Sequence, residues 1–107
     1  MRSPMSWYAI VDDAGNSVKA EKTIAIPAGA GTYSAKPAAG RVVNALVTTA
    51  GTGGDNATVT DGASGTQLAV ILGSATVGTQ VTIDMPAAVG IVVVNVSGGP
   101  AFTLGFN

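Results

Sequence analysis

Three carboxylates, Asp55, Asp61 and Asp84, are the only charged side chains after Arg41. Two of them brought within reach could carry general acid–base chemistry. Three could share a calcium ion with backbone carbonyls. Each also has an ordinary explanation. Asp61 precedes Gly62 in a turn pair. Asp55 lies in a glycine loop, and Asp84 faces outward from an alternating stretch. Exposed acids are mostly solvated, so no residue is assigned a catalytic, metal-binding or cofactor-binding role. The chain has no His and no Cys. That removes the commonest general base and metal ligand, every thiol nucleophile and every disulfide. A hydrolase is poorly supplied by such a sequence, and the expectation is a protein that is not an enzyme.

Other motifs are equally bland. Gly51-Thr52-Gly53-Gly54 follows a strand, as a phosphate-cradling loop would. It lacks the spacing and the Lys of such a loop, and the segment after it reads as strand. Asp12-Asp13 is a turn-initiating pair. Asn56-Ala57-Thr58 and Asn95-Val96-Ser97 match a glycosylation acceptor pattern, but Asn95 falls in a stretch expected to be buried. Trp7-Tyr8 is open to two readings: an exposed interface anchor, or a cap on the domain's own core.

The elements that position these residues read as strands. Ile91–Val96 is nearly all β-branched and apolar on both alternating sets of positions. Such a run suits a strand covered on both faces. Ser97-Gly98-Gly99-Pro100 is a turn signal. Beyond it Phe102, Leu104 and Phe106 alternate with Thr103 and Gly105. The two runs are expected to pair as a hairpin around which the rest packs. Upstream, Arg41–Thr49, Asn56–Thr60, Thr66–Leu72 and Thr79–Met85 are strands separated by Gly- and Asp-rich turns. Strands at a spacing of about 8–12 residues are the pattern of a sandwich or barrel. No useful amphipathic helical period occurs.

The first part of the chain is less regular. Ser6–Val11, Ser17–Lys19 and Thr23–Ile26 are short strand candidates, the first two a possible hairpin across Asp12–Asn16. Pro27–Gly40 holds Pro27, Gly29, Gly31, Pro37 and Gly40 among alanines, and reads as a linker or extended strap. The expected organisation is an N-terminal arm over residues 1–37 and a β-domain over residues 38–107. The fold class is all-β: an antiparallel β-sandwich or jelly-roll-like domain with an extended N-terminal arm.

Charge is sparse, with five Lys and Arg and six Asp and Glu in 107 residues. All five basic residues lie at or before Arg41. Residues 42–107 cannot supply the basic face that nucleic acid requires. No apolar run reaches the ~18 residues of a membrane helix, and Trp7–Val11 is too short for the apolar stretch of a secretion leader. A monomer normally carries more surface charge than this. The aromatic side chains are few, so the core is built from small residues, which often need support from other chains.

Gly40-Arg41-Val42-Val43-Asn44-Ala45-Leu46-Val47 resembles a strand of small β-domains in structural proteins of tailed bacteriophages. The resemblance continues through Thr58-Val59-Thr60-Asp61-Gly62, Ile83-Asp84-Met85-Pro86, Gly90-Ile91-Val92-Val93 and Gly98–Phe106. It covers about residues 38–107 and leaves the N-terminal arm uncovered. It implies a capsid decoration or cement protein, or a head or tail fibre, commonly trimeric. Implied with it are a place on the capsid surface of the virion, and partners that are further copies of the chain and the major capsid protein. Trp7, Tyr8, Tyr33 and Arg41 are the expected contact residues. The competing expectation is a receptor- or glycan-binding module of a fibre, which calls for exposed aromatics beside polar groups.

Overall fold

The computed structural model describes residues 20–107. They form eight strands: β1 (Lys22–Ile26), β2 (Gly31–Lys36), β3 (Gly40–Thr49), β4 (Ala57–Asp61), β5 (Gln67–Ile71), β6 (Gln80–Ala87), β7 (Ile91–Asn95) and β8 (Ala101–Phe106). Two four-stranded antiparallel sheets result, in the orders β1-β8-β3-β6 and β2-β7-β4-β5. Strand 1 pairs with 8, 2 with 7, 3 with 6 and 4 with 5. This is a long ribbon folded over on itself, closed by the β8–β3 and β7–β4 pairs. It is the double Greek key of an eight-stranded jelly roll. Only β4 and β5 are consecutive strands in one sheet.

Period-two alternation sets the two faces of each sheet. Ile26, Phe102 and Val47 lie side by side across β1, β8 and β3, with Ala45 and Leu104 in the next row. Ile71 and Ala57, and Val59 beside Val93, answer them from the other sheet. All of these are buried in one continuous core. Each fully buried Ile, Leu or Phe contributes about 1.5–3 kcal/mol. The outward rows in the middle of each sheet are neutral. Thr32, Val94, Thr58 and Val70 run across one sheet, and Thr23, Gly105, Asn44 and Thr82 across the other.

Two expectations are corrected. The run Ile91–Val96 and the run Phe102–Phe106 do not form a hairpin. β7 and β8 lie in opposite sheets, and the Gly98-Gly99-Pro100 corner carries the chain from one to the other. Both strands bury apolar side chains in the same core, β7 from one sheet and β8 from the other. Nor is Pro27–Gly40 a linker. Gly31–Lys36 is β2, paired with β7, and Tyr33 and Ala35 point to the core while Thr32 and Ser34 point out. Pro27 and Pro37 bracket this strand without interrupting it. The boundary expected between 37 and 38 therefore falls in the turn between β2 and β3, inside the sandwich. β1 and β2 are edge strands of the two sheets.

Candidate functional site

The eight strands put their connections at two ends. At one end lie the loops β1–β2 (27–30), β3–β4 (50–56), β5–β6 (72–79) and β7–β8 (96–100). Their only charged residue is Asp55. These loops are tied to one another. The Thr52 N–H donates to the Gly98 carbonyl at 2.7 Å, and the Gly29 N–H to that of Gly99 at 3.3 Å. Asn95 is buried, 4% exposed. Its Nδ2 donates to the carbonyls of Pro27 at 3.1 Å and Pro100 at 2.9 Å, and its Oδ1 accepts from the Val96 N–H at 2.9 Å. One amide side chain thus joins the β1–β2 loop to the β7–β8 corner. Asn56 does the same for the next pair of loops, accepting from the Gly73 N–H at 3.0 Å. Gly98 has φ +85°, a left-handed conformation that costs other residues energy. A Cβ on Gly73 would collide with the carbonyls of Thr52 and Asp55. From this tied base Leu72 (51% exposed), Val77 (64%) and Val96 (38%) reach solvent.

The opposite end is held by charge. The Asp61 carboxylate, at the end of β4, accepts from three consecutive N–H groups of the β6–β7 turn. These are Ala88 at 2.9 Å, Val89 at 2.8 Å and Gly90 at 3.2 Å. The N–H groups of Ala88 and Val89 hold its pKa below the ordinary carboxylate value; desolvation opposes them, and the Gly90 N–H adds to them. Nearby, Arg41 Nη1 donates to Asp84 Oδ1 at 2.9 Å and to the Asp84 carbonyl at 3.3 Å. Asp84 is the only described non-glycine residue with positive φ, 49°. It lies in β6 at a break in register against β3, so the guanidinium clasps a bulge. Arg41 also exchanges backbone hydrogen bonds with Asn107, whose Oδ1 accepts from the Glu21 N–H. Lys22 and Lys36 belong to this same end.

A cleft of about 340 Å³ lies on the outer face of the β1-β8-β3-β6 sheet. Thr23, Asn44, Leu46, Gln80, Thr82 and Thr103 line it over a floor at Gly105. Its lining, which also includes Ala45 and Val81, carries hydroxyls, amides and aliphatic groups and no charge.

The three acids are therefore not brought together. Asp61 and Asp84 have separate partners at one end, and Asp55 lies against Gly98 at the other. No group of three potential metal ligands occurs among the described residues. Of the expected contact residues, Arg41 is engaged with Asp84, and Tyr33 lays its ring over Gly31 against the core. Trp7 and Tyr8 lie outside the described residues, as do Asp12 and Asp13. The sequence offered Asn95 and Asn56 only as matches to a glycosylation pattern, not as ties between loops. An Asn inside an apolar run was the available signal, since a buried amide must find partners. Comparison with family models, with curated proteins and with solved structures finds no match for this chain.

Proposed function

We propose that this chain is a non-enzymatic structural protein of a tailed-phage virion, a decoration or cement protein that binds across joints between capsid subunits. The observation that carries the reading is the distribution of charge. The middle of each outer sheet face and, Asp55 apart, the end formed by loops β1–β2, β3–β4, β5–β6 and β7–β8 present hydroxyls, amides and apolar side chains, so much of the surface suits contact with protein. The resemblance over residues 38–107 supplies the virion context, and the jelly roll is a fold found in capsid proteins among others. In this reading the chain sits on the capsid surface, self-associates as a homotrimer and contacts the major capsid protein. Weak contacts repeated over many copies then add by avidity. Trp7 and Tyr8 are the proposed aromatic contacts.

The test uses heads of tailed phages assembled without their outer accessory proteins. Purified protein is expected to co-sediment with them and to raise the temperature at which they release DNA. Absence of retention on such heads overturns the reading. The second reading, a receptor- or glycan-binding module, is favoured by the neutral cleft beside Leu46. Against it, Phe102 and Phe106 are both buried and offer no stacking platform. Retention of the protein on an immobilised neutral-glycan array, lost on Thr82→Lys, would establish that reading in place of the first.

A further inference from the structure

We infer that the cleft on the outer face of the β1-β8-β3-β6 sheet is the seat of this chain's own N-terminal segment, with Trp7 as the side chain that enters it. The inference does not depend on the virion reading. It assigns Trp7 to the fold and leaves Tyr8 for contacts with other proteins.

The first observation is where the chain enters the sandwich. Ala20, the first described residue, stands on the floor of the cleft: a Cβ placed on Gly105 would collide with the Ala20 methyl group and with the Asn44 amide. The Glu21 N–H then donates to Asn107 Oδ1 at 2.7 Å, which fixes the path from Ala20 into β1. Gly105 lies in β8, a central strand of its sheet. A glycine inside a strand weakens it and marks a place where another backbone comes close. The backbone that comes close here is the chain's own, leading in from residues 1–19.

The second observation is length. The outer face is about 15 Å wide across its four strands, and six extended residues such as Ser6–Val11 span about 20 Å. Residues 12–19, which carry the Asp12–Asn16 turn signal, are long enough to join that run to Ala20. A short tether also holds the run near this cleft at an effective concentration of about a millimolar. A second copy competes only when the protein itself is that concentrated, so the tether selects the chain's own segment.

The third is chemistry. Leu46, 38% exposed, stands in the cleft among the amides of Asn44 and Gln80 and the hydroxyls of three threonines. Such a lining suits a ring with a polar handle. The indole of Trp7 covers Leu46 while its N–H donates to an amide oxygen, and the hydroxyls take backbone groups of the extended run. Neither the cleft lining nor Ser6–Val11 carries a charge, so docking strips no ion of water. In an extended run Trp7, Ala9 and Val11 share one side and Tyr8 and Ile10 the other, which places Tyr8 outward when Trp7 points in.

Trp7 is the single tryptophan of the chain, so its fluorescence in the full-length protein reads this site directly. The expected result is emission blue-shifted from that in urea, with acrylamide quenching several-fold weaker. Leu46→Glu and Gln80→Lys put charges of opposite sign at exposed positions of the cleft. Both are expected to bring quenching close to its level in urea. Thr32→Lys, exposed on the outer face of the other sheet, keeps the wild-type value, and melting curves verify that each variant folds. Native quenching as strong as in urea overturns the inference, and so does protection that both cleft variants retain. A mixture settles whose cleft is filled: Leu46→Glu protein is refolded together with Trp7→Phe protein, whose cleft is intact. The Leu46→Glu copy's Trp7 is expected to stay exposed. Recovery of its protection in the mixture would overturn the assignment to the chain's own segment in favour of exchange between copies.

Discussion

The two ends of the sandwich solve the same problem with different chemistry. Each must tie loops from both sheets and satisfy their backbone groups. The loop end does so with neutral amides and backbone carbonyls, made possible by glycines that let chains approach closely. The other end uses a carboxylate on three N–H groups and a guanidinium on a bulge. Charge-assisted hydrogen bonds are stronger singly, so the charged end closes on stronger individual contacts. The neutral end relies on uncharged groups, apart from Asp55 beside Gly98.

The largest expected effect is at Asn95. Replacing it with Ala strands the Pro27 and Pro100 carbonyls and the Val96 N–H at once. Leaving buried polar groups unpaired costs about 1–3 kcal/mol each, and partial hydration recovers part of that. Urea unfolding of Asn95→Ala is expected to show a loss of about 2–4 kcal/mol. A loss below ~0.5 kcal/mol would mean that the amide does not join the two loops.

Next is the glycine contrast within the same end. Gly73→Ala drives a Cβ into the Thr52 and Asp55 carbonyls and is expected to cost about 1–3 kcal/mol. Gly53→Ala meets nothing within 4 Å and is expected to be neutral or slightly stabilising, by up to ~1 kcal/mol. Equal effects from the two would show that close approach does not hold this end.

These residues also mark what the sequence makes legible. The strands downstream of Arg41 were readable because apolar residues there alternate over runs bounded by Gly and Asp. The observed β3 to β8 match those runs within a few residues. β2 was hidden because its inward side chains are Tyr33, Ala35 and Gly31, too small or too few to print a hydrophobic pattern between two prolines. The β7–β8 relation was misread because a Gly-Gly-Pro turn specifies a change of direction and not the sheet in which the chain continues. Of the candidate residues, the acids were visible as types. Their use was not, because the turn that Asp61 binds lies 27 residues further along the chain.

Asp61 offers a contrast in pH dependence. Its folded-state pKa lies below the ordinary value of 3.8. The carboxylate's contribution to stability is complete above that value and is lost as pH falls through the lowered one. Asp61→Asn is therefore expected to melt several degrees below wild type at neutral pH, with the gap closing under acid conditions. Asn95→Ala has no such dependence, since neither an amide nor a carbonyl titrates in that range. A pH-independent gap for Asp61→Asn would remove charge from the account of how that end is closed.

The smallest effect belongs to the ion pair. Arg41 and Asp84 are 33% and 39% exposed, and pairs of that kind are worth about 0–1 kcal/mol. Arg41→Gln is expected to lose no more than this, and raising the salt to about 0.5 M should shrink the loss further. Asp84→Gly sacrifices the same pair but relieves a left-handed conformation that costs a β-carbon residue about 1–2 kcal/mol, so its net change is near zero. The pair then serves to hold the β6 bulge in place more than to stabilise the fold. A loss of retention on undecorated heads by Arg41→Gln without a change in melting temperature would instead return Arg41 to the contact surface.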